Sequence, residues 1–182
     1  DRRIAVLFKL YPWEDLLRDD YADQIAGSGC LFLEPAWKAL LSNKGLLPVL
    51  WEMFEDHPNL LPAFFEQDVG EAMAGRGSVT GRAADAFDRA RAGLARAHVR
   101  KPILSREGAS VEIVKSGQII ESASNTDYAE HPRILQAYAP LPTFDGMRPV
   151  VGAWIIGLRE DRTRITQDLS RFKPHYIAPY SG

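Results

Sequence analysis

The stretch from Val99 to Ile120 constrains this chain more than any other. It reads as strand, glycine-containing loop, strand, tight turn and strand. Lys101 ends the first strand, and Pro102 behind it has no N–H to give a sheet ladder. Ser105, Arg106, Glu107 and Gly108 form the loop. Val111 to Val114 then pairs with Ile119 to Ala123 across Lys115-Ser116-Gly117-Gln118, a short hairpin signal. A flexible loop with a lysine just before it suits a phosphate, because backbone N–H groups line the anion and the ammonium adds a point charge. The pattern is not a Walker A motif and has one loop glycine, so by itself it favours an ordinary surface hairpin with an exposed lysine.

Composition limits the alternatives. With 182 residues, the chain has room for one sizeable domain or two small lobes. It is 46% hydrophobic and 25% charged, a balance typical of soluble globular proteins. A formal net charge of -2 gives no global pull toward nucleic acid or an anionic membrane. The single cysteine, Cys30, rules out an internal disulfide framework and fits a reducing cytoplasm. No apolar run approaches the roughly 18 residues of a spanning helix, and no signal peptide is visible. The chain starts at Asp1 with a strand-like run by Ile4, which suggests a piece of a longer protein.

Along the chain, Ile4 to Leu7 predicts a buried strand, and about Glu14 to Gln24 a helix. Cys30 to Leu33 predicts a brief strand, with Cys30 a small core residue. Glu34-Pro35-Ala36-Trp37 opens another helix, with proline in the first turn. Helical spacing resumes over Leu46 to Phe54. Leu60 to Phe65 reads as a connecting segment, and Gly70 to Gly81 as a loop. Ala83, Phe87, Ala90 and Leu94 mark an amphipathic helix over Ala83 to Ala97, whose arginines interleave with Asp85 and Asp88 as a solvated face. Ser122 to Pro132 is polar loop, Ile134 to Tyr138 a short strand, and Asp145-Gly146 a turn. Val150 to Leu158 predicts a central strand, followed at once by Arg159.

Several strings occur in a telling order. They are Phe8 to Glu14, Glu34 to Lys38, Leu41 to Lys44 with Leu47 to Trp51, Arg100 to Gly108, Pro140 to Pro142 with Phe144 to Gly146, and Arg159 to Phe172. Together they resemble the C-terminal part of the glutathionylspermidine synthase family, ATP-grasp acid–amine ligases. The resemblance covers most of the chain and leaves out about Gly70 to His98. It implies an α+β, ATP-grasp-like fold with mixed or antiparallel sheets and flanking helices, forming a fragment of a larger ligase. It also implies three segments. Residues 1–69 are a strand-and-helix part, 70–98 a variable loop and amphipathic helix, and 99–182 the glycine-loop hairpin with a C-terminal sheet.

The implied reaction phosphorylates a small-molecule carboxylic acid with ATP, and an amine then displaces the phosphate to leave an amide. Lys44 and Lys101 match the family's nucleotide-phosphate lysines. Ser105, Arg106, Glu107, Gly108 and Ala109 match its lid, with Ser110 where the family usually has Asn. Gln136, Ala137 and Tyr138 match the strand that holds adenine, and Arg159 matches the arginine that stabilises the transferring phosphate. Taken singly, Lys44 and Arg159 would read as surface residues. The Mg²⁺ ligands are expected upstream, in the N-terminal remainder of the same protein, so this piece alone is expected to be inactive. No nucleic acid or membrane partner is expected. The alternative is a non-catalytic ATP-grasp-like module that binds nucleotide or a protein.

Overall fold

Ile134 and Leu135 are nearly inaccessible to solvent, and Gln136 beside them is buried too. A strand buried on both faces must lie inside a sheet with both faces covered. The computed structural model describes residues 3–147 and shows how this comes about. Strand β7 (Arg133–Ala137) lies between β3 (Ala63–Phe65) and β4 (Ala97–Pro102). Strands β5 (Glu112–Lys115) and β6 (Gln118–Ser122) extend the sheet, in the order β3-β7-β4-β5-β6. Every neighbouring pair is antiparallel.

Pairing fixes which side chains share a face, because opposed residues point the same way and alternate residues oppositely. Phe64 opposes Leu135, and Leu135 opposes Arg100. Phe64 and Leu135 therefore meet the helices α4 (Leu46–Met53), α5 (Glu66–Met73) and α6 (Ala83–Arg96), where Trp51, Val69, Ala72, Phe87 and Leu94 complete one core. Phe64 and Phe87 meet edge to face at 5.5 Å. The opposite face carries Val99, Lys101, Ile134 and Gln136.

The amphipathic helix expected over Ala83 to Ala97 is α6, and it buries Ala86, Phe87 and Leu94. The hairpin forms, but its turn is tighter than the four residues read: Lys115 and Gln118 pair within the strands, and only Ser116 and Gly117 turn, both at positive φ, as a two-residue turn of this twist requires. It also carries a bulge at Ile113/Val114.

Several segments differ from expectation. The helix expected over Glu14 to Gln24 is broken into α1 (Trp13–Leu16) and α2 (Ala22–Ile25). Asp19 Oδ1 accepts the Tyr21 N–H at 3.2 Å, a local bond that competes with the helix ladder. The connecting segment at Leu60 to Phe65 contains β3, too short to show a period of two. The loop expected from Gly70 begins later, because burial of Val69 and Ala72 extends α5 through Gly70 to Met73. The first strand is β1 (Val6–Phe8), parallel to β2 (Leu31–Leu33), and it is exposed instead of buried. Trp13 covers one side of this pair through Phe32, at 5.4 Å. On the other side Val6, Phe8, Leu31 and Leu33 remain 53%, 67%, 61% and 47% exposed.

A 3₁₀ turn (Ala36–Lys38) leads into α3 (Ala39–Ser42), where one helix was expected. The chain forms two compact units, residues 1–138 and 139–182. In the second, Phe144 and Met147 bridge across Asp145-Gly146, the expected turn. The strand expected over Val150 to Leu158 lies outside the described residues. Among the described residues, no helix is long and apolar enough to cross a membrane.

Candidate functional site

Two of the lysines singled out in the sequence, Lys44 and Lys101, make side-chain contacts with other singled-out residues, Ser105 and Gln136. Lys44 follows α3, where Asn43 Oδ1 takes the Gly45 N–H at 2.8 Å and turns the chain. The Lys44 N–H donates to the Ile103 carbonyl at 2.7 Å, which ties this turn to the segment after β4. Its side chain then reaches the loop, and Nζ donates to the Ser105 carbonyl and to Ser105 Oγ, both at 2.8 Å.

Lys101 stands on β4. The register sets Val99 opposite Gln136, so Lys101 lies diagonally from Gln136 on one face. Lys101 Nζ donates to Gln136 Oε1 at 2.7 Å. Burial pulls the Lys101 ammonium below the ordinary lysine range. Lys44 is lowered by burial first and by the charge of Lys101 second, with Glu14 opposing. Residues 57 positions apart are thus brought within each other's field, and each ammonium donates to neutral oxygens.

The loop has a fixed base and an open tip. Ala109 and Ser110 are buried, while Arg106, Glu107 and Gly108 are exposed. The Ser110 N–H donates to the Asn125 carbonyl at 2.7 Å, and Ser110 Oγ accepts the Tyr128 N–H at 3.2 Å. Glu107, Gly108 and Ser110 all take positive φ. For Glu107 and Ser110 that conformation costs of order 1 kcal/mol each. The sequence hinted at it only through Gly108, since the segment 122–132 that holds the base is distant in sequence.

Gln136 and Ala137 point to opposite faces, and Ala137 packs against the helix-side core. The Ala137 N–H donates to the Pro62 carbonyl at 2.8 Å and the Tyr138 N–H to Ala97 at 3.3 Å. The Lys115 ammonium lies 5.1 Å from the Tyr138 ring centroid. Arg159 is outside the described residues.

Glu14 carries a contact that its motif string did not announce. Arg106 bonds to it across 92 positions. Burial alone would raise the Glu14 carboxyl, but the Arg106 hydrogen bond, its own backbone N–H and the charges of Arg106 and Lys9 outweigh this and hold it below the carboxylate range. A cavity of about 490 Å³ adjoins this pair, lined among others by Lys9, Tyr11, Trp13, Lys38 and Ser105. Among the described residues, no group of three or more His, Cys, Asp or Glu side chains stands together as a metal site.

The described residues thus form a mixed α+β domain with two partly buried lysines, one bonded to the glycine-containing loop and the other to Gln136. The chain belongs to the glutathionylspermidine synthase preATP-grasp family, whose model matches residues 1–178, including the 70–98 segment outside the motif strings. It is 37% identical to a Haemophilus influenzae protein named "Putative acid--amine ligase", over 98% of this chain and 43% of that protein. It is 25% identical to the trypanothione synthetase of Crithidia fasciculata, over 90% of this chain and 26% of that enzyme. The bifunctional glutathionylspermidine synthetase/amidase of Escherichia coli is also 25% identical, over 79% of this chain and 21% of the enzyme. The chain therefore spans less than half the length of these relatives.

Proposed function

We propose that this chain is the nucleotide-handling portion, ATP-grasp-like in fold, of an ATP-dependent acid–amine ligase that joins a small carboxylic acid to a small amine. The observation that carries this reading is the Lys44 and Lys101 pair. Two ammonium groups are partly stripped of water, the charge of Lys101 disfavours that of Lys44, and both donate to neutral oxygens. A polyphosphate between them would relieve that cost, and charge-assisted bonds to phosphate are stronger than those to a hydroxyl or an amide. Family membership and the names of the relatives support ligase chemistry in the same direction.

In this reading Lys44 and Lys101 hold phosphate oxygens, and the loop from Ser105 to Ala109 closes over them. Gln136 and the backbone at Ala137 and Tyr138 border the base. Arg159 acts on the transferring phosphoryl group, where catalysis is mostly positioning and charge stabilisation. The carboxylate oxygen takes the terminal phosphoryl group from ATP. The amine then attacks the acyl carbon, phosphate leaves, and the amine gives up a proton as the amide forms. Mg²⁺, when bound, would neutralise phosphate charge, and its ligands belong to the longer polypeptide that the relatives possess. The isolated chain, spanning so little of such a polypeptide, would hold nucleotide without turnover.

Calorimetric titration of ATP into the full-length protein tests the reading. Wild type should bind, and a Lys44→Ala/Lys101→Ala variant that keeps its fold should lose about 3 kcal/mol or more, two charge-assisted bonds at 1.5–3 each. Equal affinity in the two proteins would remove the lysine pair from the nucleotide site.

A further inference from the structure

Lys44 and Arg106 both tie the loop to other elements, and the proposed function places Lys44 on nucleotide phosphate. Lys44 donates to both oxygens of Ser105. Arg106 Nη2 pairs with Glu14 Oε1. The two members of that pair differ in freedom. The Glu14 side chain is 16% exposed, and it follows Trp13, which is buried and held by an Nε1–H bond to the Glu34 carbonyl and by Phe32. The Arg106 side chain is 48% exposed, at the tip of a loop whose base is pinned at Ser110. The carboxylate is thus the fixed member and the guanidinium the movable one.

We infer that Glu14 latches the loop: it holds Arg106 against α1, keeps the Ser105 oxygens on Lys44, and must release Arg106 when nucleotide phosphate takes Lys44. This rests on the reading of Lys44 and Lys101 as phosphate-binding. Glu14 is a positioning residue that acts through Arg106. A half-exposed ion pair shifts an equilibrium by only about two- to fivefold. A latch of that strength holds the empty loop, yet yields to a ligand with several negative charges. It lowers apparent nucleotide affinity by the fraction of molecules unlatched.

The test uses Glu14→Gln in the full-length protein, with two readouts. Without nucleotide, amide exchange at residues 105–108 should quicken by about two- to fivefold. ATP should bind tighter by about the same factor in calorimetry. Glu14→Asp, which keeps the charge on a shorter arm, should fall between the two on both readouts. If Glu14→Gln misfolds, the wild type serves, since high salt should speed exchange at 105–108 by screening the half-exposed pair. Unchanged loop exchange overturns the latch. Faster exchange with equal or weaker ATP binding overturns the competition with nucleotide. If wild type binds no ATP at all, the nucleotide reading fails, and faster exchange would leave Glu14 as a structural tether only.

Discussion

Lys101 and Arg159 are proposed to serve the reaction as two kinds of cation, and they should fail differently. Lys101 is desolvated and lowered in the free protein, whereas a bound phosphate favours its charged form. Nucleotide binding should therefore take up protons as pH rises from the lowered value toward 10.5, and none well below that window, where the lysine is already protonated. Binding enthalpies measured in buffers of different ionisation heat should show uptake growing with pH, and Lys101→Met should abolish the growth. Stability carries the same sign. The unfolded lysine binds more protons in this window, so the wild type should gain stability there relative to Lys101→Met. Arg159 is proposed to act on the group in flight, so its contacts should strengthen in the transition state. Arg159→Ala should lower kcat by about 10²–10³-fold, with KM for ATP changing much less. Arg159→Lys should restore only part, because a point charge does not reproduce a planar donor fork. Wild-type turnover in Arg159→Ala would remove it from the reaction.

At the scale of elements, two glycines separate backbone freedom from backbone need. Gly93 lies inside α6, and a Cβ there meets no heavy atom within 4 Å. Gly93→Ala should stabilise the protein by about 0.5–1 kcal/mol, since alanine loses less entropy in a helix. Gly117 sits in the β5–β6 turn at φ 77°, also with open space around a Cβ. Gly117→Ala should cost about 1–2 kcal/mol through the left-handed backbone alone. Paired denaturant melts would check both, and shifts of the same sign would contradict the argument. α6 and this hairpin were legible in the sequence because local rules build them, namely a spacing of three and four and a glycine in a tight turn. β3 and the second half of α5 were not legible. Phe64 becomes a strand residue only because Leu135 lies opposite it, and Gly70 stays helical only because Val69 and Ala72 on either side are buried.

For the whole molecule, the β1–β2 pair is the least finished part. A two-stranded sheet is marginal by itself, and parallel sheets ordinarily bury both faces. Val6, Phe8, Leu31 and Leu33 lie bare on one face of a chain that spans less than half of its relatives. In the full-length protein that face should be covered by polypeptide outside this chain. Backbone amides of residues 6–8 and 31–33 should then exchange much more slowly in full-length protein than in the 182-residue piece. Equal exchange in both would mean that nothing covers the face.

The sequence by itself determined α6 and the β5–β6 hairpin and, through the order of its motif strings, the family. It also marked Lys44, Lys101 and the loop as residues to follow. Tertiary structure decided which of them meet. Lys44 reaches Ser105 across 61 positions, Lys101 reaches Gln136 across 35, and Arg106 reaches Glu14 across 92. Such contacts follow from sheet order, strand register and the placing of turns around the sheet. Side-chain periodicity reports only which face of an element is apolar, and it carries no information about which distant element will lie against it.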